Sequence, residues 1–262
     1  MTYSDKSVKG NSGVMKVFKR LSHITRVALT ALLALVVITL PSCKTEVSYK
    51  APNAPIHQMG MGEVVQLLSE VALPTYKIVA GTWTGSATAV NANTLLSAAH
   101  VVLNDDGSVV SGIYAVHNVP ANGFPTRVFP LKVVKADRAK DLAVLESFDT
   151  LPVLARVIPR GDISVAVHWG AYVVSSGHSA GVDEPVLGFG YINSLNDDGY
   201  IRHTALSLPG NSGGGVYAFF DGHYVLVSVL QAGYAVGAPQ AHMALGSNPF
   251  TTWDYLYGAD GE

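Results

Sequence analysis

The segment Pro209-Gly210-Asn211-Ser212-Gly213-Gly214 sets one serine between glycines, with no bulky side chain to shield it. About a hundred residues upstream, Leu95-Leu96-Ser97-Ala98-Ala99-His100 brings a histidine out of an apolar, strand-like run. Between the two, Asp141-Leu142-Ala143-Val144-Leu145 opens another apolar run with a carboxylate. A serine alcohol is inert at neutral pH, so it needs a base, and the base needs a partner that fixes its tautomer. These three residue types supply that set. The glycines add a second element. A tight turn without Cβ atoms lets the N–H groups of Gly210 and Ser212 point at one spot and bind a developing oxyanion.

Composition agrees with short strands around this segment. The chain has 262 residues, of which only 14% are charged and 26 are glycine, and β-branched and aromatic residues recur in short runs. That favours an all-β globular body over a helical bundle or a disordered chain. Charge is unevenly spread: residues 1–50 hold eight Lys/Arg against two Asp/Glu, leaving nine against seventeen in the rest. The acidic body argues against a nucleic-acid-binding surface. A single cysteine, Cys43, excludes an internal disulfide, so the fold must stand on packing.

The N-terminus carries its own signal. Lys16, Lys19, Arg20 and Arg26 precede the apolar stretch from Val27 to Leu40, which runs into Pro41-Ser42-Cys43. A basic start, a short apolar core and small residues before a break form a secretory pattern. The stretch is short for a spanning helix, which needs about 20 residues. The ending Leu-x-Ser-Cys resembles a bacterial lipoprotein box, which implies lipidation of Cys43. An uncut membrane anchor and plain secretion are the alternatives. All three place the protein outside the cytoplasm, in the cell envelope (periplasmic or outer-surface) or secreted, with the membrane a partner in the anchored forms.

Residues 44–61 read as a linker and 62–257 as the body. Gly62 to Val71 has the apolar spacing of a short amphipathic helix. From Tyr76 the pattern turns to strands, with Asn91-Ala92-Asn93 as a hairpin turn and Leu151 to Asp162 as a crossover between two halves. Short strands at such spacing fit barrels or a sandwich. A closing helix is expected near Phe250 to Tyr257. No pair of histidines or cysteines has metal-ligand spacing, so neither metal nor cofactor is expected. His168, His178, His203, His223 and His242 read as loop or surface residues, His203 lying near the expected pocket wall.

Taken together, Ser-Ala-Ala-His at 97–100, Asp-Leu-Ala-Val-Leu at 141–145 and Pro-Gly-Asn-Ser-Gly-Gly at 209–214 resemble the three motif blocks of trypsin-like serine peptidases, in that family's order. Gly170-Ala171-Tyr172-Val173-Val174-Ser175-Ser176-Gly177 and Gly188-Phe189-Gly190-Tyr191-Ile192-Asn193-Ser194-Leu195 resemble strands of the bacterial HtrA (Deg) branch, here without a PDZ module. The resemblance spans about residues 72–240. It implies two six-stranded antiparallel barrels with the active site in the cleft between them. It also implies serine endopeptidase activity on protein or peptide substrates, with Ser212 as nucleophile, His100 as general base and Asp141 as its orienting carboxylate. Gly210 and Ser212 would form the oxyanion hole. Asn211 departs from zymogen-activated members, which carry aspartate there to pair with a freed N-terminus. Leu206, six residues before the serine, would floor the primary specificity pocket and favour apolar residues before the scissile bond. The strand at Ser228 and Val229 would pair with the substrate backbone.

Two other readings remain at this stage. One is a protease fold that has lost turnover and serves as a binding or scaffold protein of the envelope. The other is an esterase-type hydrolase, since Gly210-Asn211-Ser212-Gly213-Gly214 fits Gly-x-Ser-x-Gly as a bare pattern. That elbow, however, joins a strand to a helix, whereas a strand-like run from Val216 follows here.

Overall fold

The computed structural model describes residues 59–118, 126–195, 199–233 and 243–258. The export signal expected over residues 1–43, with Cys43, most of the linker, and His242 lie outside them. Twelve of the thirteen strands among the described residues make two barrels. The first is built from β1 (Thr75–Ala80), β2 (Trp83–Asn91), β3 (Thr94–Ser97), β4 (Tyr114–His117), β5 (Arg127–Asp137) and β6 (Leu142–Ser147), closed in the order β1-β2-β3-β6-β5-β4. The second uses β8 (Tyr172–Gly177), β9 (Val186–Leu195), β10 (Ile201–His203), β11 (Gly215–Phe220), β12 (His223–Gly233) and β13 (Ala244–Gly246). It runs β11-β8-β9-β10-β13-β12 and closes through the β11–β12 pairing. The two-residue β7 (Arg156–Val157), inside the expected crossover, adds to β12 in parallel. The expected pair of six-stranded antiparallel barrels is therefore present.

The strands read as continuous apolar runs because both of their faces are buried. Leu95 and Leu96 are both wholly buried, yet Leu95 packs inside the first barrel and Leu96 in the seam between the barrels. Val173 and Val174 divide the same way, as do Val216 and Tyr217, between the second barrel and the seam. Full burial of one such side chain contributes about 1.5–3 kcal/mol, so each motif-bearing strand is anchored on two sides. In β2, every residue from Gly85 to Val90 is buried. A Cβ on Gly85 would sit 2.6 Å from Val101 Cγ1, so the first barrel can bring the turn after β3 this close only to glycine.

The expected N-terminal helix is shorter and less regular than its apolar spacing suggests. It spans Met61–Leu67 and passes into a wider π-turn over Leu68–Ala72. Glu70 ties it to the body, accepting from His223 Nδ1 at 2.6 Å and from the Tyr224 amide at 2.8 Å. Burial pushes the Glu70 carboxyl up, but these bonds and one from Gln66 outweigh it and hold the group below its ordinary range. The closing helix spans Pro249–Tyr257, with Asn248 accepting from the amides of Phe250 and Thr251 as its N-cap. No helix among the described residues is long and apolar enough to cross a membrane.

Candidate active site

His100 stands in a single helical turn, Ala99–Val102, where β3 ends. Ala98 and Ala99 are wholly buried beneath it, so bulk at either position would displace the imidazole. Asp141 ends the turn joining β5 to β6 and has a φ of 49°, the left-handed region that costs a residue with a Cβ about 1–2 kcal/mol. Asp137 shapes that turn. Its Oδ1 accepts from the amides of Ala139 and Lys140 at 2.9 and 3.1 Å, and its Oδ2 pairs with Lys140 Nζ at 3.1 Å. That carboxylate is committed to its own loop. Asp141 instead faces the histidine: Oδ2 lies 2.8 Å from His100 Nδ1, and Oδ1 accepts from the His100 backbone amide at 2.9 Å. One carboxylate thus fixes both ring and backbone. Nε2 has no protein partner among the described residues.

Ser212 comes from the second barrel, in the turn ahead of β11. Its carbonyl accepts from the Ser86 amide at 2.8 Å, which stitches the turn to the first barrel. Its Oγ donates to the Gln231 carbonyl at 3.5 Å, the outer limit of a hydrogen bond. The neighbouring glycines are required sterically. Gly210 has φ 94° and Gly213 φ 87°. A Cβ on Gly213 would press into the Ser86 carbonyl and the Ser97 hydroxyl, and one on Gly214 into the Ser176 carbonyl. The amides of Gly210 and Ser212 donate to no acceptor among the described residues.

The other expected site residues behave differently. Leu206 is 47% exposed, and its carbonyl accepts from Ser175 Oγ at 2.8 Å. Ser228 and Val229, expected to pair with substrate, are wholly buried and already paired. One edge of β12 at these residues meets Val216 and Gly215 of β11. On the other edge, the Val229 amide and carbonyl and the Ser228 hydroxyl all bond to Ser247. The strand is interior at that point because β13 and Ser247 close the barrel over it. Its free edge begins two residues later. Past Leu230, which bonds to Gly213 and Gly214, the β12 edge next to Ser212 has no strand partner among the described residues.

Gln231 is the residue that sequence reading missed. It is buried, and its Nε2 donates to the carbonyls of Lys140 and Asp141 at 2.6 and 3.3 Å, while its own carbonyl faces Ser212. It therefore ties the aspartate turn to the serine turn. Nothing in its local pattern marks it, since it is one polar residue at the end of an apolar run.

Two of the histidines expected in loops or at the surface are buried. His178 is 1% exposed, with Nδ1 bonded to the Val182 carbonyl and the Thr75 backbone as a weaker second partner. His203 is wholly buried, and the backbone of Ala205 is the one group that approaches its ring as a weak hydrogen-bond partner among the described residues. Desolvation pushes both imidazoles down to about 4. Both are neutral at physiological pH. Among the described residues no cluster of His, Cys, Asp and Glu is arranged to hold a metal ion.

Known proteins share this fold. Residues 85–225 match the family model of the trypsin-like peptidase domain. No curated protein matches the chain. Among solved structures, a serine endoprotease from Yersinia pestis shares the fold with a TM-score of 0.59 and 19% identity, over 76% of this chain and 67% of that one. The HtrA-type protease AlgW with tripeptide is similar at a TM-score of 0.59 and 20% identity, over 73% of this chain. This chain spans only 62% of the length of AlgW.

Proposed function

The chain belongs to the trypsin-like peptidase family and is a serine-type endopeptidase, and from that premise we propose that Ser212, His100 and Asp141 carry out the hydrolysis. Ser212 Oγ attacks the scissile carbonyl carbon as His100 Nε2 takes its proton. The negative oxygen of the tetrahedral intermediate rests on the amides of Gly210 and Ser212. As the C–N bond breaks, Nε2 returns the proton to the leaving amine, which leaves an ester on Ser212. Water then repeats the sequence, with His100 again as base, and releases the acid. Asp141 keeps Nδ1 protonated and stabilises the imidazolium without accepting its proton.

The observation that carries this reading is the two-point hold of Asp141 on His100, at 2.8 Å to the ring and 2.9 Å to the backbone amide. A carboxylate that holds one histidine at both ring and backbone fixes the Nδ1–H tautomer that a general base at Nε2 needs, which supports this reading. The peptide substrate is read as an added strand on the β12 edge at Gln231–Gly233, with an apolar side chain reaching Leu206. For location, the basic and apolar N-terminal pattern supports export, with Cys43 as the site of lipidation.

Labelling by a fluorophosphonate probe tests the assignment. Wild type should be labelled and Ser212→Ala should not. Equal signals from the two would overturn it, and would favour a silent binding protein on the same fold.

A further inference from the structure

The loop carrying Gly210 and Asn211 is held on one side by the short segment His178–Gly181, and we propose that Ser179 is the positioning residue that keeps the Gly210 amide aimed at the substrate carbonyl. This rests on the acyl-transfer reading of Ser212. In a trans peptide the C=O and N–H point in opposite directions. The Pro209 carbonyl accepts from the Ala180 amide at 2.5 Å, so the N–H of Gly210, in the same peptide plane, is turned to the opposite side. There it meets no protein acceptor among the described residues.

The next peptide is fixed as well. The Gly210 carbonyl accepts from Ser86 Oγ at 2.7 Å, and that hydroxyl in turn accepts from the His178 amide at 2.8 Å. Asn211 is 1% exposed, and Ser179 Oγ donates to its Oδ1 at 2.7 Å. Asn211 Nδ2 has no partner, so the Ser179 hydroxyl is the one hydrogen bond holding this side chain among the described residues. The holding segment is itself fixed. Lys77 Nζ donates to the Gly181 carbonyl at 2.6 Å and pairs with Asp183 at 2.9 Å. Ala180 is kept at φ 52°.

The chemistry at position 211 follows. A buried carboxylate there would demand a cation, whereas a neutral amide is satisfied by a neutral donor from the same barrel. The loop is therefore held in its competent form by a hydroxyl already present in the fold. Without that hydroxyl, Asn211 Oδ1 is buried and unsatisfied. The side chain then turns to find another donor, and the Gly210–Asn211 backbone turns with it.

Ser179→Ala, Asn211→Ala and the double variant of the full chain test this. Complete loss of one oxyanion donor lowers kcat about 100- to 1000-fold, so loosening it in Ser179→Ala should lower kcat about 10- to 100-fold. KM should stay within about twofold, because ground-state binding does not use the hole. Ser179→Thr, which keeps the hydroxyl, should recover most of the rate. The double variant should be no slower than Asn211→Ala, since Ser179 acts through Asn211. Hydrogen exchange should quicken in residues 208–214 and not in β1–β6. Unchanged exchange together with kcat within twofold of wild type would overturn the proposal, and so would additive losses in the double variant. Absence of fluorophosphonate labelling in wild type would overturn the acyl-transfer reading alone, because faster exchange in Ser179→Ala would still bear out the clamp.

Discussion

Replacing His203 by leucine should make the protein resist acid. His203 is wholly buried on β10, and burial, only partly opposed by the Ala205 backbone, lowers its pKa to about 4. An unfolded histidine titrates near 6.5. Above that pH both states are neutral and the residue has no pH-dependent cost. As pH falls from about 6.5 toward 4, the unfolded chain takes up a proton that the folded one refuses, so stability falls. At pH 4.5 the unfolded imidazole is about 99% charged and the folded one about a quarter, which amounts to about 2.5 kcal/mol lost relative to pH 7.5. His203→Leu removes that loss. The side chains are close in size, so misfit should cost under about 1.5 kcal/mol. Removal of a poorly satisfied buried imidazole should offset this by about 1–3 kcal/mol. Thermal unfolding followed by circular dichroism at pH 7.5 and 4.5 measures the difference. The variant should match or exceed wild type at pH 7.5, and its advantage should grow by about 5–10 °C at pH 4.5 for a body of this size. An advantage unchanged between the two pH values would refute the reasoning. It would mean that His203 is charged in the fold or reaches water.

Three further outcomes follow from the geometry. Asp141→Asn keeps the shape but offers His100 the wrong tautomer, so kcat should fall by about 10⁴ with little change in KM, read with a chromogenic peptide ester or amide. Gly85→Ala places its Cβ 2.6 Å from Val101 Cγ1. It should destabilise by about 1–3 kcal/mol, and Val101→Ala, which clears the space, should make the added methyl close to neutral in a double-mutant cycle read by urea unfolding. Asn211→Asp buries a carboxylate that has one neutral donor and no paired cation among the described residues, so it should cost about 3–5 kcal/mol at neutral pH. Burial raises that carboxyl above its unfolded value. Its penalty should therefore be small near pH 4 and grow as pH rises to 7, the reverse of the His203 effect.

The site was legible where chemistry and sterics restrict the residue type along the chain itself. Gly210, Gly213 and Gly214 sit where a Cβ meets backbone, Ala98 and Ala99 where bulk would move His100, and Asp141 just ahead of a buried strand. Those constraints leave marks at fixed offsets from Ser212 and His100. Contacts between distant segments leave no such mark. Ser179 meets Asn211 across 32 residues, and Gln231 reaches Lys140 across 91. Each of these is one ordinary polar residue beside a glycine or an apolar run. Ser228 and Val229 show the same boundary from the other side. As a strand near the serine they qualified to receive substrate, but whether a strand edge is open depends on what pairs with it. Here the partner is a three-residue strand and one serine, Ser247, too short to show a period of two. Asn211 joins the two cases. Its identity, read along the chain, removes the charge that a freed N-terminus would neutralise. What replaces that ion pair is visible only in three dimensions, because a single hydroxyl from a turn in the same barrel is enough for an amide and would not be enough for an aspartate.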